Sequence, residues 1–183
     1  MKSNAKKITI MAIVAAIYVV LTVTLSGLSY GGIQFRIAEA LMLLCFYKKE
    51  YCVALSAGCF ISNLFSPMPI DMVVGTVATI LAALAMYLIG KTEKAGTDFT
   101  KKSSTVKLII ASLMPVISNG IIVGLELGWL YGEIATYIYM LQVAFGEFVC
   151  VTILGVALFK ALEKNKGFMK LICFEEVSGK NYL

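Results

Sequence analysis

Eight polar or charged residues stand inside or beside long apolar stretches of this sequence, where such side chains are costly and usually serve a function. They are Gln34, Arg36, Glu39, Asn63, Asp71, Asn119, Glu126 and Glu147. Carboxylates outnumber the single arginine among them, and a carboxylate can accept two N–H hydrogen bonds from a guanine-like edge. The set therefore favours a flat, nitrogen-rich ligand that can be cationic, although it would also suit a cation pathway.

The first candidates are Arg36 and Glu39, three residues apart and able to share one helix face. This spacing fits two interpretations equally well. The two residues can form a structural ion pair, or one of them can contact a ligand while the other holds it in place. Asn63 and Asn119 are open to two interpretations, interhelical hydrogen bonds or ligand contacts.

The position of each remaining carboxylate along its apolar stretch suggests a different environment. Glu126 falls near the expected water interface, where a solvated role is plausible, whereas Glu147 falls deeper, where a ligand or an internal partner is expected. Aromatic residues near these stretches are typical membrane-interface anchors, and one of them could stack on a flat ligand. They are Trp129, Tyr131, Tyr137 and Tyr139.

No catalytic or metal-binding set is present. The chain has no His and no G-x-x-x-x-G-K-[ST] phosphate loop, so P-loop ATP hydrolysis is excluded. Its five cysteines form no C-x-x-C pair and are predicted to be small packing residues. They are Cys45, Cys52, Cys59, Cys150 and Cys173. We therefore expect a protein that is not an enzyme and that holds no cofactor or metal.

The elements that must position these residues are membrane helices. The chain of 183 residues is 60% hydrophobic and only 15% charged, whereas a soluble domain is roughly half apolar and one quarter charged. Its apolar segments cover residues 8–25, 33–47, 51–65, 72–89, 108–127 and 134–158. The prediction is an all-α membrane protein of six transmembrane helices. The second and third segments are short for a span, which suggests that their outer ends line a cavity.

Orientation follows from the lysines. All fifteen fall before segment one, between segments two and three, after segment four or after segment six, which is one side of a six-helix model. The positive-inside rule then places both termini in the cytoplasm. The whole chain, 1–183, is predicted to be one integral membrane domain, with a polar cytoplasmic linker at 91–105 and a cytoplasmic tail at 164–183. The basic side requires no nucleic-acid partner, because it is the orientation signal, and anionic lipid can add to it.

Small residues mark the first segment, where Ala12 and Ala16 form an A-x-x-x-A pattern that permits close helix approach. The default interpretation of this common pattern is packing within the chain.

Several runs carry a family resemblance. A six-helix chain of this size, with A-x-x-x-A in helix one and a polar outer cluster, resembles the S components of energy-coupling factor (ECF) transporters. Within that class, the run GGIQFRIAEALMLL at 31–44 is similar to the queuosine-precursor transporter (QueT) family. Further similar runs are ISNLFSP at 61–67, DMVVGTVATILAAL at 71–84, SNGIIVGLEL at 118–127 and AFGEFVC at 144–150.

The resemblance implies a substrate-binding subunit of a prokaryotic plasma-membrane importer. Such a subunit binds its ligand outside and docks on a membrane scaffold, the T component, with two ATPase subunits that use the ATP. The implied ligand is an aminomethyl or cyano deazaguanine, contacted by the eight polar candidates, and Ala12 and Ala16 would form the docking surface. Residues 26–32 are a candidate gate, because glycine permits unusual backbone angles. Alternatives are an S component for another vitamin or purine-like ligand, a stand-alone secondary transporter, and a membrane scaffold protein.

Overall fold

A computed structural model describes residues 2–30, 34–93, 103–132 and 134–174. Within these ranges the chain is helical and contains no strand. The elements are α1 (Lys2–Thr24), α2 (Ser26–Ser29), a 3₁₀ helix (Ile37–Phe46), α3 (Glu50–Asn63), α4 (Asp71–Thr92), α5 (Thr105–Tyr131), α6 (Thr136–Glu147), a π-helical segment (Phe148–Gly155), α7 (Val156–Leu162) and α8 (Lys166–Ile172).

Four helical stretches in the described residues are long and apolar enough to cross a membrane. They are Asn4–Thr24, Asp71–Thr92, Thr105–Tyr131 and Thr136–Leu162. The other two predicted segments are shorter, since the 3₁₀ helix has 10 residues and α3 has 14. The all-α prediction is confirmed, and the apolar helices make the chain a multi-pass membrane protein.

The 3₁₀ helix is the central element of the bundle. It contacts α1, α3, α4, α5, α7 and the π-helical segment, and seven of its residues are buried. The sequence predicted a helix from residue 33, but residues 34–36 are non-helical and the helix begins at Ile37. Long 3₁₀ runs are uncommon, because their hydrogen bonds are poorer than those of an α-helix, and they often accompany functional sites.

A glycine stripe brings α5 and α6 together. Gly120, Gly124 and Gly128 recur every four residues along one face of α5. A Cβ atom on Gly124 would lie 2.5 Å from the Cα of Met140, and one on Gly120 would lie 3.0 Å from the Cβ of Ala144. Small residues at this spacing allow two membrane helices to approach closely. The stripe therefore fixes the face of α5 that meets α6.

Much of the outer surface is apolar, as lipid contact requires. Helix α1 is the least buried of the four long stretches, and only 11% of its most apolar window is buried inside the protein. Ala12 and Ala16 both lie on its exposed face, beside Ile13 and Ile17. The small residues therefore do not serve packing within the described part of this chain.

The opposite end of the bundle from α2 carries the described lysines and is called here the lysine-rich end. The expected tail after residue 164 begins with a folded element, α8, which Asn165 caps by accepting hydrogen bonds from the backbone N–H groups of Gly167 and Phe168. The Tyr51 hydroxyl donates to the carbonyl of Ile172 at 2.9 Å. Residues up to 174 thus pack onto the bundle, a feature that the mixed composition of this segment did not indicate.

Candidate ligand-binding site

Most of the predicted polar residues meet in one buried group, called here the polar cluster. Its members come from the residues before and within the 3₁₀ helix, from the ends of α3 and α4, and from α5 and α6. They are Arg36, Glu39, Asn63, Asp71, Asn119, Glu126 and Glu147. Each is at most 6% exposed, and Glu39, Asn119 and Glu147 are fully buried. Four carboxyls and one guanidinium therefore share an interior that water does not reach.

Arg36 ties the 3₁₀ helix to α3 and α4. Its Nη2 donates to the Oδ1 of Asn63 at 3.0 Å, and the Nδ2 of Asn63 donates to the backbone carbonyl of Asp71 at 2.9 Å. Gly75 makes room for this chain, because a Cβ there would lie 2.7 Å from the Asn63 Nδ2. Asn63 therefore makes the interhelical hydrogen bonds that were one of its two predicted roles, and it orients the guanidinium; its contact with a ligand stays a prediction.

Glu39 is held from two sides. The Tyr18 hydroxyl on α1 donates to its Oε1 at 2.5 Å, and the Nη1 of Arg36 lies 3.9 Å from the same oxygen. The predicted Arg36–Glu39 pair is present, but not on a shared helix face as predicted, because Arg36 precedes the 3₁₀ helix in a non-helical conformation. Tyr18 was not among the predicted residues; its place inside an uninterrupted apolar run gave no signal.

Asn119 and Glu147 face each other across the α5–α6 contact. The Nδ2 of Asn119 donates to the Oε1 of Glu147 at 2.7 Å. Gly146 precedes Glu147, and a Cβ there would lie 2.2 Å from the backbone carbonyl oxygen of Gln34. The chain before the 3₁₀ helix can therefore lie directly against α6. Gln34, the eighth predicted residue, is buried at this contact.

Asp71 and Glu126 form the part of the cluster nearest the loops. The carboxyls of Asp71 and Glu126 are close enough to interact electrostatically, but no hydrogen bond joins them; the Ser66 hydroxyl donates to the Oδ2 of Asp71. Glu126 is only 6% exposed, so the solvated role suggested by its sequence position is wrong. Met68 in the turn at 64–70 packs against the apolar cluster that contains Val123 and Leu127, the neighbours of Glu126 on α5.

Unpartnered polar atoms distinguish the cluster from the rest of the described structure. Among the described residues, all but one of the buried side-chain N and O atoms without a hydrogen-bond partner belong to it. They are the Nε and Nη1 of Arg36, the Oε2 of Glu39, the Oδ1 of Asp71, the Oδ1 of Asn119, both oxygens of Glu126 and the Oε2 of Glu147. Buried polar groups are nearly always hydrogen-bonded, since an unmade bond costs about 1–3 kcal/mol. Such a concentration makes the polar cluster the candidate ligand-binding site of this chain.

A depression of about 380 Å³ lies at the loop end of the bundle. It is lined by Ser26, Gly27, Tyr30, Phe65 and Pro67. The Tyr30 hydroxyl donates to the carbonyl of Ser62 at 2.7 Å, which places this depression next to Asn63. The predicted gate at 26–32 thus contributes to the wall of the depression through residues 26–30, while residues 31–32 lie outside the described residues.

The four aromatic residues that were predicted to be interface anchors or ligand contacts differ in their exposure. Trp129, Tyr131 and Tyr137 are 77%, 51% and 64% exposed, as expected for interface anchors. Tyr139 is buried and precedes Glu147 by two helical turns, so both side chains lie on one face of α6. Tyr139 packs with Val123 and Leu127 of α5 in an apolar cluster, and its ring stacks on that of Tyr131.

Fold and site together define a multi-pass helical membrane protein with a buried acidic cluster. The family model of the QueT transporter matches residues 8–164, and the chain therefore belongs to the QueT transporter family. This is a family of transporters and not of enzymes.

One curated relative supports the family assignment over part of the chain. The chain is 46% identical over 82 residues to the queuosine precursor transporter QueT of Lactococcus lactis subsp. cremoris (strain MG1363). The aligned segment covers 44% of this chain and 48% of the relative, so it spans about half the length of that protein. No solved structure matches the chain.

Proposed function

We propose that this chain is the substrate-binding S component of an ECF importer and that its polar cluster binds a queuosine precursor of the deazaguanine type. The unpartnered atoms of the cluster carry this proposal. They comprise more acceptors than donors, which complements a ligand with more N–H donors than carbonyl acceptors. The matched relative is named a queuosine precursor transporter, in agreement with this chemistry.

The deep part of the cluster suits the guanine-like edge of such a ligand. The unpartnered Oε2 atoms of Glu39 and Glu147 can accept the ring N–H and the exocyclic amine, and the free Nε and Nη1 of Arg36 can donate to the ring carbonyl. Bonds of this type involve a charged partner and are stronger than neutral ones. A buried site that offers such partners also rejects analogues that cannot fill them, since the polar atoms would then stay unpaired.

Six crossings with both termini in the cytoplasm remain our proposed topology. A 3₁₀ helix rises about 2.0 Å per residue, so its 10 residues with the three before them reach about 30 Å, the thickness of a bilayer core. Helix α3 spans about 21 Å and is continued by residues 64–70. The positive-inside rule places the lysine-rich end in the cytoplasm and the depression outside.

Titration calorimetry of the detergent-purified chain tests the ligand. We expect tight binding of 7-aminomethyl-7-deazaguanine and none of riboflavin or guanine. Binding of riboflavin alone would assign the chain to another vitamin. Absence of all binding would contradict a substrate-binding role. Ligand uptake by vesicles that contain this chain without ATPase subunits would favour a stand-alone secondary transporter.

The exposed face of α1 is the proposed docking surface for the T component. Ala12 and Ala16 lie on it, and a bulky side chain there would prevent close helix approach. We expect Ala12→Trp to abolish copurification with the T component and two ATPase subunits, without a change in ligand affinity. Leu141→Trp, at a 66% exposed position on α6 and outside the proposed surface, is the matched control. If the Ala12→Trp complex still copurifies, α1 is not the docking surface.

A further inference from the structure

The Asp71–Glu126 pair is unusual because two neighbouring buried carboxyls receive, among the described contacts, a single side-chain hydrogen bond, from the Ser66 hydroxyl to Asp71. Asp71 is 4% exposed and Glu126 is 6% exposed. The Oδ1 of Asp71 and both carboxyl oxygens of Glu126 lack a hydrogen-bond partner. Since carboxylates only accept hydrogen bonds, these two groups cannot satisfy each other when both are ionised. Two neighbouring carboxylates also repel each other, because both carry negative charge.

Among the described residues, no lysine or arginine makes an ion pair or hydrogen bond with the carboxyls of this pair. Arg36 is the only arginine in the chain, and its guanidinium is directed to Asn63 and Glu39. The described lysines belong to the lysine-rich end. A metal ion is not favoured either, because the described residues hold no group of three or more His, Cys, Asp or Glu side chains that could bind one.

The position of the pair separates it from the deep part of the cluster. Glu39, Asn119 and Glu147 are fully buried between the 3₁₀ helix, α5 and α6. Asp71 instead begins α4, directly after the turn at 64–70, and Ser66 in that turn donates to its Oδ2. Phe65 and Pro67 of the same turn line the depression. The pair thus lies between the deep acceptors and the route from the depression.

We infer that Asp71 and Glu126 form a subsite for a primary ammonium group on the ligand. This inference rests on the proposed function. The deep acceptors then bind the flat ring of the ligand, and the Asp71–Glu126 pair binds its cationic substituent. An ammonium has three donors and one positive charge, which match the three unpartnered oxygens and the excess negative charge. The transporter then selects the aminomethyl form of a deazaguanine over the uncharged cyano form.

The experiment compares two ligands in parallel calorimetric titrations, 7-aminomethyl-7-deazaguanine and 7-cyano-7-deazaguanine. We expect the wild-type chain to prefer the aminomethyl ligand roughly 10- to 100-fold, the range for hydrogen bonds to charged groups. Glu126→Gln and Asp71→Asn should reduce this preference ratio to near one. Both variants keep the shape of the pair, and the new amide can donate to the remaining carboxylate, so the fold should be retained.

Glu147→Gln is the matched control within the same cluster. It should weaken both ligands and leave their ratio unchanged, because the deep acceptors contact the ring that both ligands share. Equal wild-type affinity for the two ligands would overturn the subsite while the proposed function stands. A ratio unchanged in Glu126→Gln and Asp71→Asn would do the same. A wild-type chain that binds neither ligand would overturn the proposed function and the subsite together.

Discussion

Glu147 and Glu163 are buried carboxylates sixteen residues apart in the chain, yet their surroundings differ. Glu163, just beyond α7, accepts hydrogen bonds from the Tyr47 hydroxyl at 2.8 Å, the Ser103 backbone N–H at 3.2 Å and the Lys160 ammonium at 2.9 Å. The Ser103 hydroxyl donates to it as well. Glu147 accepts one bond, from Asn119, and its Oε2 has no partner.

The difference separates a carboxylate that stabilises the fold from one that is prepared for a ligand. Around Glu163, the segment before α5, the turn after the 3₁₀ helix and α7 are joined through one side chain. Around Glu147, the structure leaves an acceptor unpaired in the interior, which costs stability unless something else fills it. Burial alone does not distinguish these two roles; the count of satisfied oxygen atoms does.

The largest expected effect is the loss of ligand affinity on substitution of Glu147. We expect Glu147→Gln to lower the affinity for 7-aminomethyl-7-deazaguanine by about 100-fold, because a charged acceptor for the ring N–H groups is lost. Unfolding in detergent should occur at the same or a higher temperature, since a buried, half-paired charge is removed. Calorimetric titration and thermal unfolding measure the two quantities. Unchanged affinity would remove Glu147 from the site.

Glu163→Gln should produce the reverse pattern. The amide cannot accept as strongly from Lys160 and Ser103, so we expect a loss of about 1–3 kcal/mol in the free energy of unfolding. Ligand affinity should stay within twofold of wild type, because Glu163 lies at the other end of the bundle. Denaturant unfolding and calorimetric titration of the same preparation test both statements. Loss of affinity without loss of stability would contradict the comparison.

The pH dependence of the stability tests whether the charge of Glu163 stabilises the fold. Burial by itself would raise its pKa, but hydrogen bonds from Ser103, Lys160 and Tyr47 and the charge of Lys160 outweigh burial and hold the pKa below its ordinary value. A lowered carboxyl pKa contributes stability that is complete above the unfolded pKa and is lost as the pH falls through the folded one. The stability difference between wild type and Glu163→Gln should therefore be constant above about pH 5 and shrink below about pH 4. A difference that does not change at acid pH would mean that the carboxylate charge is unimportant.

The sequence predicted the cluster better than it predicted the backbone that forms it. Polar residues in apolar stretches are few and expensive, so Glu39, Asn119 and Glu147 could be selected without knowledge of their partners. Their meeting depends on features with weak sequence signals. The 3₁₀ geometry from Ile37 and the π-helical segment after Glu147 both arise from tertiary packing, which overrides local propensity.

The close approach of α5 and α6 was the second feature that the sequence did not predict. The Gly120, Gly124 and Gly128 stripe was present in the sequence but was not used, although it sets the α5–α6 contact on which the Asn119–Glu147 bond depends. The depth of Glu126 could not be inferred, because its neighbour in the cluster, Asp71, is distant in sequence. Tyr18 gave no signal, because a tyrosine within an apolar run is as often an ordinary core residue as a functional one.

Tyr18 provides the smallest of the expected effects and the most specific one. Its hydroxyl is the described donor from α1 to the cluster, and it bonds the same Glu39 oxygen that Arg36 approaches. In Tyr18→Phe this oxygen loses its short hydrogen bond, and Glu39 can turn toward Arg36. The carboxylate would then present its second oxygen to a ligand less accurately. We expect a two- to tenfold loss of affinity, the range for one neutral donor.

Tyr137→Phe is the matched control for this variant, because Tyr137 is 64% exposed on α6 and should affect neither affinity nor stability. The two variants are compared by calorimetric titration under identical detergent conditions. Combining Tyr18→Phe with Glu39→Gln provides the decisive test. If Tyr18 acts only by orienting Glu39, the double variant should bind no more weakly than Glu39→Gln alone, because non-additivity marks residues that act through one another. Additive losses would instead mean that Tyr18 affects binding by a route that does not involve Glu39.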